Sequence, residues 1–163
     1  MAYGATVFCD EELRPLWKMT SDVQGDALIP CLLDRFTTRA HAFLFPRQVI
    51  DRNGEWSTEI VVSEDWDFIL RALEHASVQG THETATFYRR HPGGVTADLE
   101  EAARGAEQVV DRYFERHPEQ RGTPLERKAR ARLLARTGRT CVTHGEVAKG
   151  LRSLARAGVR AGS

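Results

Sequence analysis

The sequence SEDWDFILRALEH, residues 63–75, carries the clearest helical signal in the chain. Ser63 is a residue type that often caps a helix N-terminus, and three acidic residues fall in the first turn, where the helix dipole favours negative charge. Apolar side chains recur at positions i, i+3, i+4 and i+7, namely Trp66, Ile69, Leu70 and Leu73. The pattern predicts an amphipathic helix that runs to about Ala76 and buries one face.

Short apolar segments on both sides of this helix predict β-strands. Tyr3–Cys9, His41–Phe45 and Thr84–Tyr88 are rich in β-branched and aromatic residues. The acidic run that begins at Asp10 ends the first of them, and residues 13–24 are predicted to be an irregular connection. Strands that alternate with helices indicate an α/β fold.

Two short helices are predicted among these strands. One runs from Ala27 to Asp34, with Asp26 as its N-cap. The other is a single turn over residues 46–50, with Pro46 at its first position and Asn53-Gly54 as the turn that follows it.

The remainder of the chain is predicted to be helical. Thr96 is expected to cap a helix with one apolar stripe, made of Leu99, Ala103, Ala106, Val110 and Tyr113. Thr123-Pro124-Leu125-Glu126 has the pattern of a capping box and predicts a helix to about His144. After Gly145, a last amphipathic helix is expected from Glu146 to Ala157. The domain organisation predicted is therefore an α/β part, residues 1–95, and a helical extension, residues 96–163.

Charge is unevenly distributed along the chain. Residues 1–100 hold nine Lys/Arg and sixteen Asp/Glu, whereas residues 101–163 hold fourteen and seven, so the net charges are −7 and +7. Two interpretations stay open: the basic tail pairs with the acidic front, or it meets phosphate or anionic lipid. Nucleic acid is not an expected partner, because the tail lacks an aromatic-rich basic cluster.

The three cysteines, Cys9, Cys31 and Cys141, are far apart and odd in number. They argue against a disulfide framework and a structural zinc site, and favour a reducing compartment. No apolar run has the roughly 18 residues of a membrane span, and the N-terminus lacks the pattern of a signal peptide. We therefore expect a cytoplasmic protein.

The order of these segments resembles the C-terminal, acceptor-side portion of family-2 glycosyltransferases of the GT-A type. SEDWDFILRALEH, followed at a short distance by TATFYRRHPGGVT, is similar to that family's acidic helix start and its strand ending in Tyr-Arg-x-His. HAFLFPRQVIDRNGEW and YGATVFCDEELRPL are similar to the two segments that precede these in the family. The resemblance implies a partial GT-A mixed sheet with flanking helices and a C-terminal helical tail.

The resemblance also implies roles for particular residues. Asp65 would be the catalytic base, Glu64 would orient the acceptor or tune that base, and Trp66 would offer a flat face to a sugar ring. Arg89 or Arg90 would bind the phosphates of the donor. By pattern alone, acidic residues in a first helical turn usually serve only the helix dipole.

A divalent metal, Mg or Mn, is expected for the complete enzyme, with His91 as a metal or pyrophosphate ligand. A histidine beside Pro-Gly-Gly is otherwise more often a solvated loop residue. Gly93-Gly94 would let the following loop close over the substrate.

The family's nucleotide-binding half and its metal-binding Asp-x-Asp have no counterpart here, and Asp65-Trp66-Asp67 falls in the wrong place in the order. The leading hypothesis is nevertheless a glycosyltransferase, in fragmentary or truncated form, that transfers a sugar from a nucleotide sugar to a hydroxyl acceptor with inversion. The alternative is a non-catalytic module that binds a saccharide or a complementary glycosyltransferase half. A third hypothesis is a protein whose basic tail docks on an anionic surface. Exposed strand edges near residues 5–9 and 41–45 are expected to promote self-association.

Overall fold

A computed structural model describes residues 1–36, 39–91 and 98–162. The fold is mixed α/β, with a four-stranded mixed sheet. Strand β1 (Ala2–Cys9) lies at its centre and is buried from Tyr3 onward. Strands β2 (Pro15–Met19) and β3 (Phe43–Leu44) pair antiparallel with β1, and β4 (Gln79–Arg89) pairs parallel with it. The coarse α/β prediction is therefore confirmed.

Strand β2 corrects the expectation that residues 13–24 form an irregular connection. Its side chains are mostly exposed, so it lacks the alternation of apolar and polar residues that marks a half-buried strand. Pairing with β1 stabilises this strand instead. Trp17 lies opposite Phe8 in the antiparallel pair, and the centroids of the two stacked rings are 4.6 Å apart. The expected exposed edge at residues 5–9 is therefore also wrong, because β1 has neighbours on both sides.

The segment between β2 and the long helix follows the prediction in outline. Helix α1 (Leu28–Leu32) is shorter than expected, and its N-cap residue is Ala27 and not the predicted Asp26, although Asp26 Oδ1 accepts a hydrogen bond from the Leu28 amide at 3.0 Å. The expected strand at 41–45 contains a 3₁₀ turn (Ala40–Ala42) and only two paired residues, those of β3. Helix α2 (Arg47–Asn53) ends at Gly54, whose φ of 74° suits glycine.

Helix α3 (Glu64–Leu73) buries the predicted face, since Ile69, Leu70 and Leu73 all lie in the core. The proposed capping by Ser63 is wrong. Ser63 has a φ of 78°, in the left-handed region and not in the extended conformation typical of an N-cap residue, and its side chain makes no capping hydrogen bond.

Helix α4 (Leu99–Arg116) begins after Asp98, whose Oδ1 accepts from the amides of Glu100 and Glu101, both at 3.0 Å. The expected cap, Thr96, lies outside the described residues. Helix α5 (Pro124–Thr143) begins at the predicted proline, but Glu126 accepts from the Gly122 amide at 2.7 Å and Thr123 donates to the Gln120 carbonyl. The predicted capping box is therefore wrong, because the Thr123 hydroxyl donates into the preceding 3₁₀ turn (Pro118–Gln120) and makes no capping hydrogen bond.

Helix α6 (Val147–Gly162) extends beyond the predicted end and packs against α5. Gly150 lies against Val142 and the Gly138 carbonyl, so the absence of side chains lets the two helices approach closely. Among the described residues, no helix is both long and apolar enough to span a membrane.

A single hydrophobic core joins the two predicted parts of the chain. It contains Tyr3 of β1, Leu70 of α3, Tyr113 of α4 and Leu133 of α5. The helical extension is therefore packed onto the α/β part, and the N-terminus of α3 lies where the two meet.

Candidate functional site

A cleft of about 450 Å³ opens beside the N-terminus of α3. Its walls come from α1, α3, α4, α5 and the segment before the 3₁₀ turn at 40–42. The charged and polar residues that line it are Asp34, Arg39, Ser63, Asp65, Arg136 and Thr140, and Trp66 adds an aromatic side chain. The cleft is thus lined by carboxylates and guanidinium groups in close proximity.

Asp65 lines this cleft from the first turn of α3. Its Oδ1 accepts a hydrogen bond from the Trp66 amide at 2.8 Å, which orients the carboxylate. The residue is half-buried. A carboxylate held in this way can accept a proton or a hydroxyl hydrogen bond from a molecule in the cleft.

The other two acids of this turn have different surroundings. Asp67 is 1% exposed, and its Oδ2 accepts from Arg71 Nε at 2.9 Å. Arg116 Nη1 lies 3.5 Å from the other carboxylate oxygen, so Asp67 holds α3 to α4. Glu64, the second predicted catalytic residue, is half-buried and does not line the cleft.

Trp66 is half-buried in the cleft wall, and its ring is not simply a free platform for a sugar. The Arg136 guanidinium carbon lies 5.1 Å from the ring centroid, at a distance that permits a cation–π interaction. Arg136 Nη1 also donates to Asp34 Oδ1 at 3.4 Å.

The Arg136 side chain, on α5, is only 35% exposed. Similar ion pairs link Arg112 with Glu59 and Arg116 with Glu74. These contacts show that residues of the basic tail pair with residues of the acidic front, as one of the two interpretations of the charge pattern requires.

Two titratable side chains near the cleft have shifted pKa values. Burial raises the pKa of the Cys31 thiol to about 12; a hydrogen bond with Trp66 opposes the rise, and the negative charges of Asp34 and Asp65 add to it. Partial burial, together with the positive charge of Arg39, lowers the pKa of His41 in spite of the Asp65 carboxylate. Cys31 is therefore a protonated thiol at neutral pH and not a nucleophile.

A band of aromatic rings leads away from the cleft across the sheet. His41 stacks on Tyr88 at 5.3 Å, Tyr88 contacts Phe8 at 5.3 Å, and Phe8 stacks on Trp17. Arg39, which also lines the cleft, lies 5.8 Å from the Phe8 ring centroid. Arg90 lies 5.3 Å from that of Trp17.

The predicted phosphate-binding residues are found at the end of β4. Arg89 and Arg90 are both exposed, and the Arg90 amide donates to the Cys9 carbonyl at 2.9 Å. Arg90, and not Arg89, contacts the band of aromatic rings that leads to the cleft. Gly93-Gly94, which was expected to form a closing loop, lies outside the described residues.

The predicted metal ligand, His91, is exposed. Within residues 1–36, 39–91 and 98–162, no group of three or more His, Cys, Asp or Glu side chains is arranged to hold a metal ion. The described residues therefore do not fit a metal centre.

Comparison with protein-family models, curated proteins and solved structures finds no match for this chain.

Sequence reasoning identified Asp65 but missed Arg39, Arg136 and Trp17. Trp17 carried one usable signal, because an aromatic residue amid polar neighbours often finds an aromatic partner. The two arginines carried none, since only the packing of α5 and the 3₁₀ turn brings them to the cleft.

Proposed function

We propose that this chain is the acceptor-side portion of an inverting glycosyltransferase of the GT-A type, and that its acceptor binds in the Asp65 cleft. One observation carries the proposal. The carboxylate that the family resemblance marks as the base opens into a cleft from the N-terminus of a well-packed helix. Of the neighbouring acids, Asp67 is buried in an ion pair and Glu64 does not line the cleft.

The chemistry fits a carboxylate in this position. The acceptor oxygen attacks the anomeric carbon of the donor while Asp65 takes the hydroxyl proton, and the nucleoside diphosphate leaves with the electrons of the broken bond. The rigid buried face of α3 fixes the direction of the carboxylate. Arg39 lines the same cleft and can donate to acceptor oxygens, and Arg90 can offer positive charge to the leaving diphosphate.

The experiment is a transfer assay with a panel of nucleotide sugars and saccharide acceptors, read as release of nucleoside diphosphate. Asp65→Asn keeps the shape of the side chain but removes the base, so turnover is expected to fall about 100-fold or more. Asp51→Asn is the matched control, because Asp51 is exposed on α2 and remote from the cleft lining. Turnover above background that is equal in Asp65→Asn and the wild type would refute the role of Asp65, whereas no turnover in either protein would leave the binding-module candidate described next.

A binding module without turnover is the second candidate, and the composition of the cleft favours it. Asp34, Arg39 and Asp65 offer both donors and acceptors for sugar hydroxyl groups without any contribution from a donor nucleotide. Titration of the chain with oligosaccharides, followed by tryptophan fluorescence, distinguishes the two. Saturable binding with no diphosphate release in any donor–acceptor combination supports the binding module.

A further inference from the structure

The two arginines of the Asp65 cleft differ in their partners. Arg136 forms an ion pair with Asp34. Arg39 lines the same cleft as Asp34 and Asp65, yet it forms an ion pair with neither carboxylate. Among the residues that the structure describes, Arg39 is therefore the cation of the cleft whose charge no acidic side chain neutralises.

An aromatic ring holds Arg39 at the cleft in place of a carboxylate. Its guanidinium carbon lies 5.8 Å from the centroid of the Phe8 ring, within the range of a cation–π interaction. Phe8 is only 5% exposed and stacks on Trp17, so the ring beneath the cation is fixed by the sheet. A cation–π contact leaves the N–H donors of the guanidinium available to a ligand.

The positive charge of Arg39 also acts on the neighbouring His41. Partial burial lowers the pKa of His41, the charge of Arg39 lowers it further, and Asp65 opposes both. His41 is therefore largely neutral at pH 7, and Arg39 supplies the positive charge on this side of the cleft.

Asp65 provides a separate negative charge in the cleft. It accepts a hydrogen bond from the Trp66 amide and forms no ion pair with the described residues. A neutral sugar would satisfy this carboxylate through a hydroxyl group, but it would leave the Arg39 charge without a counter-charge. A sugar that also carries an anionic group would satisfy both residues.

We propose that the acceptor bound in this cleft is an acidic saccharide, whose carboxylate or phosphate group pairs with Arg39 while one of its hydroxyl groups donates to Asp65. That this ligand is an acceptor rests on the proposed function, whereas its acidity rests on the charges of the cleft. A guanidinium binds either anionic group through two parallel hydrogen bonds, which makes Arg39 the specificity-determining residue. Asp65 would repel the anionic group, so the two charges together fix the orientation of the sugar.

The first test measures binding in the absence of any sugar donor, by isothermal titration calorimetry. The methyl glycoside of glucuronic acid is compared with its uncharged methyl ester, and glucose 6-phosphate is compared with glucose. The wild type is expected to bind the anionic sugar about tenfold more tightly than its neutral counterpart, because a charge-assisted hydrogen bond is gained. This preference is expected to weaken as salt is added. The two pairs distinguish a carboxylate ligand from a phosphate ligand.

The second test removes the cation. Arg39→Gln is expected to bind the anionic and the neutral sugar equally, and Arg39→Lys, which keeps the charge without the planar fork, is expected to keep a smaller preference. Because Arg39 is exposed, both variants are expected to fold. Arg152→Gln is the matched control, since Arg152 is an exposed arginine of α6 that does not line the cleft.

Three results would overturn the proposal: equal affinity of the wild type for anionic and neutral sugars, an unchanged preference in Arg39→Gln, or no binding of either anionic sugar. A loss of uridine diphosphate binding in Arg39→Gln, with anionic sugar binding intact, would also overturn it, because Arg39 would then serve the donor. The proposed function fails separately. An Arg39-dependent preference without diphosphate release in any transfer assay would contradict glycosyl transfer and keep the acidic ligand, whereas turnover with neutral acceptors alone would do the reverse.

Discussion

Asp65 and Asp67 lie two residues apart on α3, yet one carboxylate lines an open cleft and the other is sealed in the interior. Asp67 is 1% exposed and is paired with Arg71 and Arg116. Asp65 lies on the cleft wall, and its carboxylate accepts a hydrogen bond from the Trp66 amide. Residues i and i+2 of an α-helix point in directions about 200° apart around its axis, so the side chains of Asp65 and Asp67 lie in different environments.

The two acids are therefore expected to respond differently to removal. Asp67→Ala removes a buried carboxylate from the Arg71 and Arg116 side chains, which are 19% and 29% exposed, and it should lower the free energy of unfolding by about 2 kcal/mol. Asp65→Ala should change it by less than about 1 kcal/mol, because a cleft-lining side chain is replaced without a buried charge being left behind. Urea denaturation of both variants measures the difference. Similar losses of unfolding free energy in the two variants would contradict the expected stabilisation by the ion pair between Asp67 and Arg71.

Arg136 is expected to control the environment of Trp66. Arg136→Ala removes the cation over the ring and the contact with Asp34, so it should shift the tryptophan emission and lower stability by about 1 kcal/mol. Arg136→Lys keeps the positive charge but not the planar group, and it serves as the matched control. Fluorescence spectra and thermal melts provide the readout. An unchanged emission spectrum in Arg136→Ala would argue against the stacked arrangement.

Cys31 is expected to make stability depend on alkaline pH. Its pKa is raised from 9.0 to about 12 in the folded chain, so only the unfolded chain loses this proton between those values. The unfolded state then binds fewer protons than the folded state, and stability falls as the pH rises through that window. Below about pH 9 the contribution is fully present.

Measurement of the unfolding free energy from pH 8 to pH 11, in the wild type and in Cys31→Ala, isolates this effect. The variant will be less stable at pH 8, because a buried side chain is truncated, but its stability should decline less steeply at high pH. Parallel pH profiles would show that the Cys31 thiol does not carry the linkage.

Gly105 is expected to be intolerant of any side chain. A Cβ added there would overlap the carbonyl of Val62, a backbone group that cannot rotate away. Gly105→Ala should therefore destabilise the fold by about 2 kcal/mol or more, since it forces α4 away from the segment before α3. Gly158→Ala on α6 meets open space and should stabilise slightly, by up to about 1 kcal/mol. Thermal melts of the pair test the contrast, and equal melting temperatures would contradict it.

Much of the fold followed from local pattern. The buried face of α3, the proline start of α5 and the strand that became β1 were all predicted, because each has a periodicity or a turn residue with one structural solution. Strand β2 was missed, because an exposed strand has no internal apolar pattern. The Ser63 cap was wrong, because Ser63 has a left-handed backbone conformation that its residue type does not predict.

The sequence by itself determined which residues could act: an acidic helix start at Asp65, a strand ending in two arginines, and an amphipathic helix to hold the acid in place. Only the tertiary structure decided which of them share a site. It brought Arg39 and Arg136 to Asp65 and buried Asp67 against Arg71. The physical reason is that a helix or strand pattern specifies which face of an element is buried, whereas contacts between residues distant in sequence depend on how those faces pack together.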